Sequence, residues 1–210
     1  MYRPAAFRED RPEALHAFVR SHPLGLLISH GTSGLLANLL PFELETGGEQ
    51  RAVLKAHIAR ANPQSRELDS RPVLVVFRGE DAYVSPSLYA TKKETGKVVP
   101  TWNYTMVQAR GTARLQDRSE WLADQLKTLT AAREAGRAQP WAVTDAPRDY
   151  IETQMKNIVG IEIEIAALEG KWKVSQNQPE INRRSVVAGF SGDEKTREMA
   201  ELVRTYGKVE

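Results

Sequence analysis

Short runs of apolar residues, separated by turn residues and by a few helical periodicities, dominate the pattern along the chain. They predict strands at residues 24–30, 35–44, 52–56, 73–77, 82–85, 104–116 and 161–173. Turns are predicted at 31–34, 47–48 and 79–81, where glycine combines with polar or small residues. About seven strands at such short spacing predict a β-barrel as the centre of the fold.

Apolar residues at helical spacing predict helices between and after these strands. The predicted helices cover residues 12–22, 119–135, a segment opening at Asp145 or Pro147, 179–190 and 193–206. In the last of them Met199, Leu202, Val203 and Tyr206 fall on one face. The two final helices form a C-terminal helical hairpin, which we expect to pack on the barrel or on a second subunit. The fold class is therefore mainly β with α additions.

A long polar connection separates the strands around residues 83 and 104. It carries hydroxyls, three lysines and several aromatic rings, and loops of this length inside a domain are commonly functional or disordered. Its middle part, residues 91–97, is expected to be mobile. The flanking parts are candidates for ligand binding.

Composition and charge narrow the classes of protein. With 41% hydrophobic and 27% charged residues in 210, the chain is expected to form a single domain over residues 1–210, with 179–207 as a helical extension. A net charge of +2 provides no global attraction for nucleic acid. Cysteine is absent, which excludes disulfides and thiolate sites. No signal peptide or membrane-length apolar run is visible, so a cytoplasmic protein without a membrane partner is expected.

Several catalytic and binding motifs are missing. The four histidines show no ligand spacing and have no carboxylate cluster beside them, so no metal site is predicted. No nucleophile elbow, phosphate-binding loop or dinucleotide fingerprint occurs. The tail has the outline of a DNA-reading helix pair. However, its second helix opens with the carboxylates Asp193 and Glu194, which oppose binding to phosphates.

The end of the third strand carries a cluster of polar donors. His57 and Arg60 could hold a phosphate, because a guanidinium presents a planar pair of donors to phosphate oxygens. Alternatively, the segment is a solvated helix start that Asn62 caps. Both interpretations remain open on these residues alone.

Two further segments have the chemistry of a ligand site. Ser85 and Ser87 are small donors suited to a phosphate, and the segment that they begin runs on to Tyr89. The string of Thr101, Trp102 and Asn103 offers an aromatic wall beside hydrogen-bonding groups, which suits a planar heterocycle. Alternatively, Trp102 is a core or interface residue, which is its commoner role.

The third candidate segment is the last predicted strand. If Trp172 points inward, Lys171 and Lys173 both point to the other face, about 7 Å apart. Two neighbouring lysines repel each other, and an anionic partner would explain their placement. A solvated strand face is the alternative.

These segments together resemble one family. The strings that carry the resemblance are residues 1–4, 57–64, 82–89, 99–104, 158–163 and 168–177, of which Pro-Thr-Trp-Asn-Tyr and Gly-Lys-Trp-Lys-Val-Ser-Gln-Asn are the most specific. They are similar to the PaiB-like proteins, called FMN-binding negative transcriptional regulators. The resemblance extends in order over nearly the whole chain.

The resemblance implies a fold, a cofactor and an assembly. The fold is an FMN-binding split β-barrel related to pyridoxamine-phosphate oxidase, the cofactor is FMN, and the protein is a homodimer with a site between subunits. In that site a phosphate tail would be received by His57, Arg60, Asn62, Ser85 and Ser87, with Tyr89 in the same segment. The ring would be flanked by Thr101, Trp102 and Asn103. Lys171, Lys173, Gln176 and Asn177 would line the site or come from the partner subunit.

The resemblance also leaves two functions open. One is a regulator that binds DNA directly or acts through a small ligand. For direct contact, a dimer could gather Lys92, Lys93, Lys97, Arg183 and Arg184 into a basic patch. The other is an FMN-dependent oxidoreductase or flavin reductase without direct DNA binding.

Overall fold

A computed structural model describes residues 1–32, 34–47 and 51–209, and of Arg51 it describes the backbone alone. The turn positions predicted at Ser33 and Gly48 lie outside the described residues. Within the described part of the chain, no helix has the length and apolar character needed to cross a membrane.

The described residues form an eight-stranded sheet. Its strands are β1 (Arg8–Glu9), β2 (Leu24–Gly31), β3 (Gly34–Pro41), β4 (Glu43–Gly47), β5 (Arg51–Ala59), β6 (Arg71–Val84), β7 (Thr101–Gln116) and β8 (Ile158–Lys173). The strand order is β3-β2-β6-β7-β8-β5-β4, and β1 pairs with β8 beside this path. The pairs β1–β8, β2–β3, β2–β6, β4–β5 and β5–β8 are antiparallel.

Six α-helices are described along the same residues. They are α1 (Pro12–Ser21), α2 (Lys92–Thr95), α3 (Ser119–Glu134), α4 (Arg148–Met155), α5 (Glu180–Ser191) and α6 (Arg197–Gly207). Apart from α2, they lie where the periodicity predicts them. The start of α6 is later than predicted, because residues Glu194–Thr196 form a 3-10 turn that the Asp193 carboxylate caps by accepting from the backbone N–H of Lys195.

Several predicted boundaries are wrong. The strand predicted over residues 35–44 is two strands, since β3 ends at Pro41 and β4 begins at Glu43. No turn occurs at residues 79–81, since β6 runs unbroken through them. Gly79 serves close packing instead: a Cβ there would lie 2.5 Å from Thr105 Oγ1 and 2.8 Å from the Phe18 ring. At the other end of the long connection, β7 begins at Thr101, so Thr101, Trp102 and Asn103 belong to a strand and not to a loop.

The segment expected to be mobile, residues 91–97, contains α2. Gly96 ends this helix with φ 64°, a left-handed conformation that glycine adopts without steric cost. Its start is held by the buried Asn182, whose Oδ1 accepts from Thr91 N at 3.1 Å and whose Nδ2 donates to Thr91 Oγ1 at 3.0 Å. Lys92 and Lys93 therefore lie on a helical turn whose start is anchored by Asn182.

The chain divides into two compact units. The terminal unit comprises Met1–Phe18, Arg78–Val107 and Glu169–Glu210, and the central unit comprises Val19–Phe77 and Gln108–Leu168. Strands β6, β7 and β8 contribute residues to both. The single domain over residues 1–210 stays a prediction.

Each unit has its own apolar core. In the terminal unit the C-terminal helices α5 and α6 bury one face against β6 and the residues that follow it, and Leu88 packs where Gly189 has no side chain. The buried residues of this cluster are Ala82, Val84, Tyr89, Val174, Val186, Val187, Phe190, Met199, Ala200, Val203 and Val209. In the central unit Phe42 and Phe77 meet edge to face at 5.8 Å.

Gly111 of β7 lies against backbone, in line with the close approach that its position in a strand predicts. A Cβ at Gly111 would lie 2.1 Å from the carbonyl oxygen of Glu164 and 2.8 Å from Ile163 Cγ2. We therefore expect Gly111→Ala to lower the free energy of unfolding by about 2 kcal/mol or more, as overpacked core positions do. Denaturant unfolding measures the change. The matched control is Gly47→Ala, where a Cβ meets no atom within 4 Å, and an equal loss in both variants would contradict the packing argument.

Candidate functional site

The end of β8 separates an apolar side from a cationic side. Trp172 is buried and packs against Phe18 at 5.1 Å and Tyr206 at 6.1 Å between ring centroids. Trp172 therefore points inward. Because side chains alternate along a strand, Lys171 and Lys173 point the other way.

Lys171 is a buried cation held by aromatic rings. It is only 8% exposed, and its Nζ lies 5.3 Å from the ring centroid of Tyr104 and 5.5 Å from that of Tyr2. A ring face attracts an ammonium group electrostatically, and the attraction strengthens as water is removed. The N-terminal segment and β7 thus fix a positive charge at one point of the terminal unit.

Lys173 lies beside this cation and is fixed at the start of β7. Its Nζ donates to Thr101 Oγ1 at 2.5 Å and to the backbone carbonyl of Trp102 at 2.5 Å. Burial, and then the neighbouring charge of Lys171, lower the pKa of Lys173 below its usual range. An anionic ligand beside the two ammonium groups would favour the charged form of Lys173.

Exposed aromatic rings accompany the two lysines. Trp102 is 53% exposed and Tyr83 is 48% exposed, and the rings meet at 5.8 Å with an interplanar angle of 62°. We call the set of Tyr2, Tyr83, Trp102, Tyr104, Lys171 and Lys173 the aromatic–lysine face. All six residues belong to the terminal unit. The face combines flat apolar surface with positive charge, which suits a planar anionic ligand.

The other two residues of the predicted ring wall, Thr101 and Asn103, make different contacts from Trp102. Thr101 contributes the hydroxyl that accepts from Lys173. Asn103 is fully buried, donates from Nδ2 to Ser175 Oγ at 2.9 Å and accepts from that hydroxyl at 3.2 Å. Ser175 has φ 65°, so this buried pair supports a left-handed turn after β8. Asn103 therefore binds the Ser175 side chain at that turn and does not join the aromatic–lysine face.

Gln176 and Asn177 follow the same turn. Gln176 accepts from the backbone N–H of Val174 at 2.8 Å and donates to the carbonyl of Trp172 at 2.6 Å, so its amide closes the turn. Asn177 is exposed. Their predicted role as lining residues stays a prediction.

The serine segment of the terminal unit is a helix cap. Ser85 Oγ lies 2.7 Å from Ser87 Oγ and accepts from Ser87 N at 3.2 Å, which caps the 3-10 helix Pro86–Leu88. Tyr89 is buried in the core of the unit, and burial raises the pKa of its phenol. The predicted phosphate-binding role of the two serine hydroxyls stays a prediction. Tyr89 packs in the core of the unit.

The predicted phosphate residues on β5 and after it lie in the central unit, where each has a local partner. Arg60 pairs with Asp117 and donates from Nε to the carbonyl of Lys156 at 3.0 Å, and this pairing lowers the pKa of Asp117. Asn62 caps the 3-10 helix Pro63–Arg66, the alternative that its sequence position suggested. His57 Nδ1 lies 2.8 Å from Gln125 Oε1. Their common phosphate site with Ser85 and Ser87 stays a prediction.

Sequence reasoning missed four residues around these sites. Tyr83 and Tyr104 were visible as aromatics in a strand context, and period-two alternation from the predicted Trp102 would have placed Tyr104 on the same face as Trp102. Tyr2 belongs to the opening string of the family resemblance, although nothing local connects it with Lys171. Gln125 carries no signal, because one glutamine on a helix is ordinary. Among the described residues, no group of three or more His, Asp or Glu side chains could hold a metal ion.

Comparisons with known proteins identify the family of this chain. A family described as "Putative FMN-binding domain" matches residues 1–167. The chain belongs to this family. An uncharacterized protein of Emericella nidulans, AN0679, is 34% identical over 247 residues, which cover 100% of this chain and 98% of that protein. The protease synthase and sporulation protein PAI 2 of Bacillus subtilis is 29% identical over 206 residues, which cover 97% and 96%.

A solved structure shows the fold at greater distance. The FAD- and heme-binding protein of Mycobacterium smegmatis has a TM-score of 0.58 at 17% identity, over 79% of this chain and 73% of that one. The expected fold class, a split β-barrel with flanking and C-terminal helices, is confirmed. The PaiB-like family assignment is confirmed as well, and membership supports FMN or a similar flavin as the cofactor.

The residues of the terminal unit fit a flavin on chemical grounds. An isoalloxazine is planar and aromatic, and Trp102 and Tyr83 expose ring surface of that kind. Lys171 is a buried cation without a carboxylate among its described partners, which are the rings of Tyr2 and Tyr104. A negatively charged group would complete its environment.

Proposed function

We propose that this protein is a PaiB-like regulator that binds FMN, or a similar planar ligand bearing a phosphate, on the aromatic–lysine face and works as a homodimer. The observation that carries the proposal is Lys171, buried between Tyr2 and Tyr104 with Lys173 next to it. When bound, FMN supplies reversible electron transfer. The chain's own residues would bind and orient it: Trp102 offers ring surface, and the two lysines offer positive charge that favours an anionic reduced ring.

A homodimer is supported by an exposed apolar surface on the central unit. The β2–β3 apolar face consists of Leu24, Leu26 and Ile28 on β2 and Leu35, Ala37 and Leu39 on β3. In the register of the two strands Leu26 lies opposite Leu39, and Ile28 lies opposite Ala37. Leu35 is 76% exposed, and no charged residue is among the six. Contiguous apolar patches of this kind mark interfaces, and a second copy of the chain would cover this one.

Regulation and oxidoreduction remain distinct candidates. The regulatory role is supported by membership of the PaiB-like family and by the similarity of this chain to the Bacillus subtilis protein. The alternative, an FMN-dependent oxidoreductase without direct DNA binding, is favoured by the charge that precedes α6. Asp193 and Glu194 are exposed there, and their carboxylates oppose the binding of DNA phosphates. A cytoplasmic location stays a prediction.

The test of the proposal is the absorption spectrum of the purified protein after addition of FMN and desalting. We expect a retained flavin absorption band at about 450 nm and quenched FMN fluorescence at micromolar protein. Absence of both at such concentrations would refute flavin binding. A mobility shift with DNA from upstream of the protein's own gene, if it weakens with salt, supports direct regulation. Rapid reduction of the flavin by NAD(P)H supports the oxidoreductase.

The lowered pKa of Lys173 predicts how FMN affinity depends on pH. An anion attracts the protonated lysine, so affinity should fall as pH rises through the lowered pKa of Lys173, below its ordinary value of 10.5. The FMN phosphate is already a dianion in this range, since its second pKa is about 6. Fluorescence titrations between neutral and alkaline pH measure the effect. In Lys173→Met this part of the pH dependence should disappear, and a profile identical to that of the unmodified protein would contradict the role of Lys173.

A further inference from the structure

The amine of Lys173 has two hydrogen-bond acceptors and no acidic partner. Its Nζ donates to Thr101 Oγ1 at 2.5 Å and to the carbonyl oxygen of Trp102 at 2.5 Å. Within the described residues, no carboxylate pairs with this nitrogen. A protonated lysine has three hydrogens to donate, whereas the neutral amine has two hydrogens and one lone pair. The two acceptors therefore bind both hydrogens of the neutral amine and leave its lone pair free.

The neighbouring cation Lys171 also favours the neutral amine. Lys171 is 8% exposed and held between the rings of Tyr2 and Tyr104, on the same side of β8 as Lys173. Burial, and then the charge of Lys171, lower the pKa of Lys173. At neutral pH a larger fraction of Lys173 is therefore neutral than of an ordinary lysine.

The surface around Lys173 remains open to a small flat molecule. Lys173 is half-buried, so its amine is not sealed inside the unit. The residue that supplies one of its acceptors, Trp102, has a ring that is 53% exposed and meets the 48% exposed ring of Tyr83 at 5.8 Å. These rings offer stacking surface to a planar aromatic group, and the charge of Lys171 attracts an anion.

We propose that Lys173 is the nucleophile of a covalent binding site on the aromatic–lysine face, which takes a planar aromatic aldehyde bearing an anionic group and holds it as an imine. A lysine that is partly desolvated beside a second cation is activated for this reaction with carbonyl compounds. The site goes beyond the proposed function and does not require FMN.

The reaction balances without an oxidant or a reductant. The lone pair of Nζ attacks the carbonyl carbon and forms a C–N bond, while the π electron pair of the C=O bond moves to oxygen. Both hydrogens of Nζ are then lost to solvent, and the oxygen takes up two protons and leaves as water. A C=N bond and one water molecule are the products.

Trapping of the imine tests the proposal. The full chain without added FMN is incubated at about pH 7.5 with para-carboxybenzaldehyde, and borohydride then reduces each imine to a stable secondary amine. Peptide mass spectrometry gives the labelling rate at every lysine. We expect Lys173 to be labelled at least about tenfold faster than the exposed Lys195 of the same unit. Labelling of Lys173 no faster than that of Lys195 overturns the proposal.

Two comparisons separate the parts of the site. In Lys171→Met the labelling of Lys173 relative to Lys195 should fall by about threefold to tenfold, whereas Lys171→Arg keeps the neighbouring charge and most of the rate. An unchanged ratio in Lys171→Met overturns the activating role of Lys171.

The second comparison uses the protein without substitutions, so no variant has to fold. Labelling with para-formylbenzamide, in which an uncharged amide replaces the carboxylate, should be several-fold slower at Lys173 and unchanged at Lys195. Equal rates at Lys173 with the two aldehydes overturn the preference for an anion. None of these rates depends on FMN, so a failure to bind FMN would refute the proposed function and leave this site to be decided by the labelling.

Discussion

Replacing Lys171 by methionine should weaken FMN binding by about tenfold to a hundredfold and leave the protein folded. Methionine keeps the length and apolar stem that pack between the rings of Tyr2 and Tyr104, and it removes the charge. The loss corresponds to one charge-assisted contact in a site with little water, where such contacts contribute about 1.5–3 kcal/mol. FMN fluorescence titration at fixed salt measures it.

Two comparisons separate charge from packing in this experiment. Lys171→Arg keeps a positive charge against aromatic rings and should retain most of the affinity. Lys195→Met removes one exposed lysine from the same unit and should change neither affinity nor melting temperature. If Lys171→Met and the unmodified protein bind FMN equally while both melt alike, the aromatic–lysine face is not the flavin site, whatever the family binds.

The strands and helices were largely predictable because their patterns are local. Alternation around Trp172 predicted that Lys171 and Lys173 share a face, since one buried residue determines the direction of both neighbours. The same rule was not applied to the first three residues of β7. Because Thr101–Asn103 looked like loop, no alternation was applied to it, and Asn103 and Trp102 were assigned to one wall although they point to opposite sides.

The missed parts of the site depend on contacts between residues distant in sequence. Gly79 looked like a turn, but its small size serves Thr105 and Phe18, which only the folded chain brings beside it. Tyr2 contacts Lys171 although the two residues are 169 positions apart in the sequence, and no periodicity connects them. Family strings could mark such residues as special without stating their partners. The contacts of the residues in these strings therefore became known only from the structure.

The second large effect concerns the β2–β3 apolar face. We expect the double variant Leu35→Lys and Leu39→Lys to convert a dimer into a monomer, with dimer affinity at least about a hundredfold lower. In a symmetric interface each change occurs twice, so four lysines would be buried near one another, and like charges in an interface cost several kcal/mol. Sedimentation or light scattering across a concentration series measures the dissociation. The control, Ala132→Lys on the exposed side of α3, should remain dimeric.

The same double variant tests whether FMN binding requires the dimer. If the site lies between subunits, as the family resemblance implies, the monomeric double variant should also lose FMN affinity, in parallel with dissociation and not through Lys171 itself. If it binds FMN like the unmodified protein, each protomer carries a complete site. If the unmodified protein is monomeric at all concentrations, the β2–β3 apolar face is not a self-interface. The aromatic–lysine face would then have to hold its ligand with residues of one chain, which makes Lys171→Met the deciding experiment for the site.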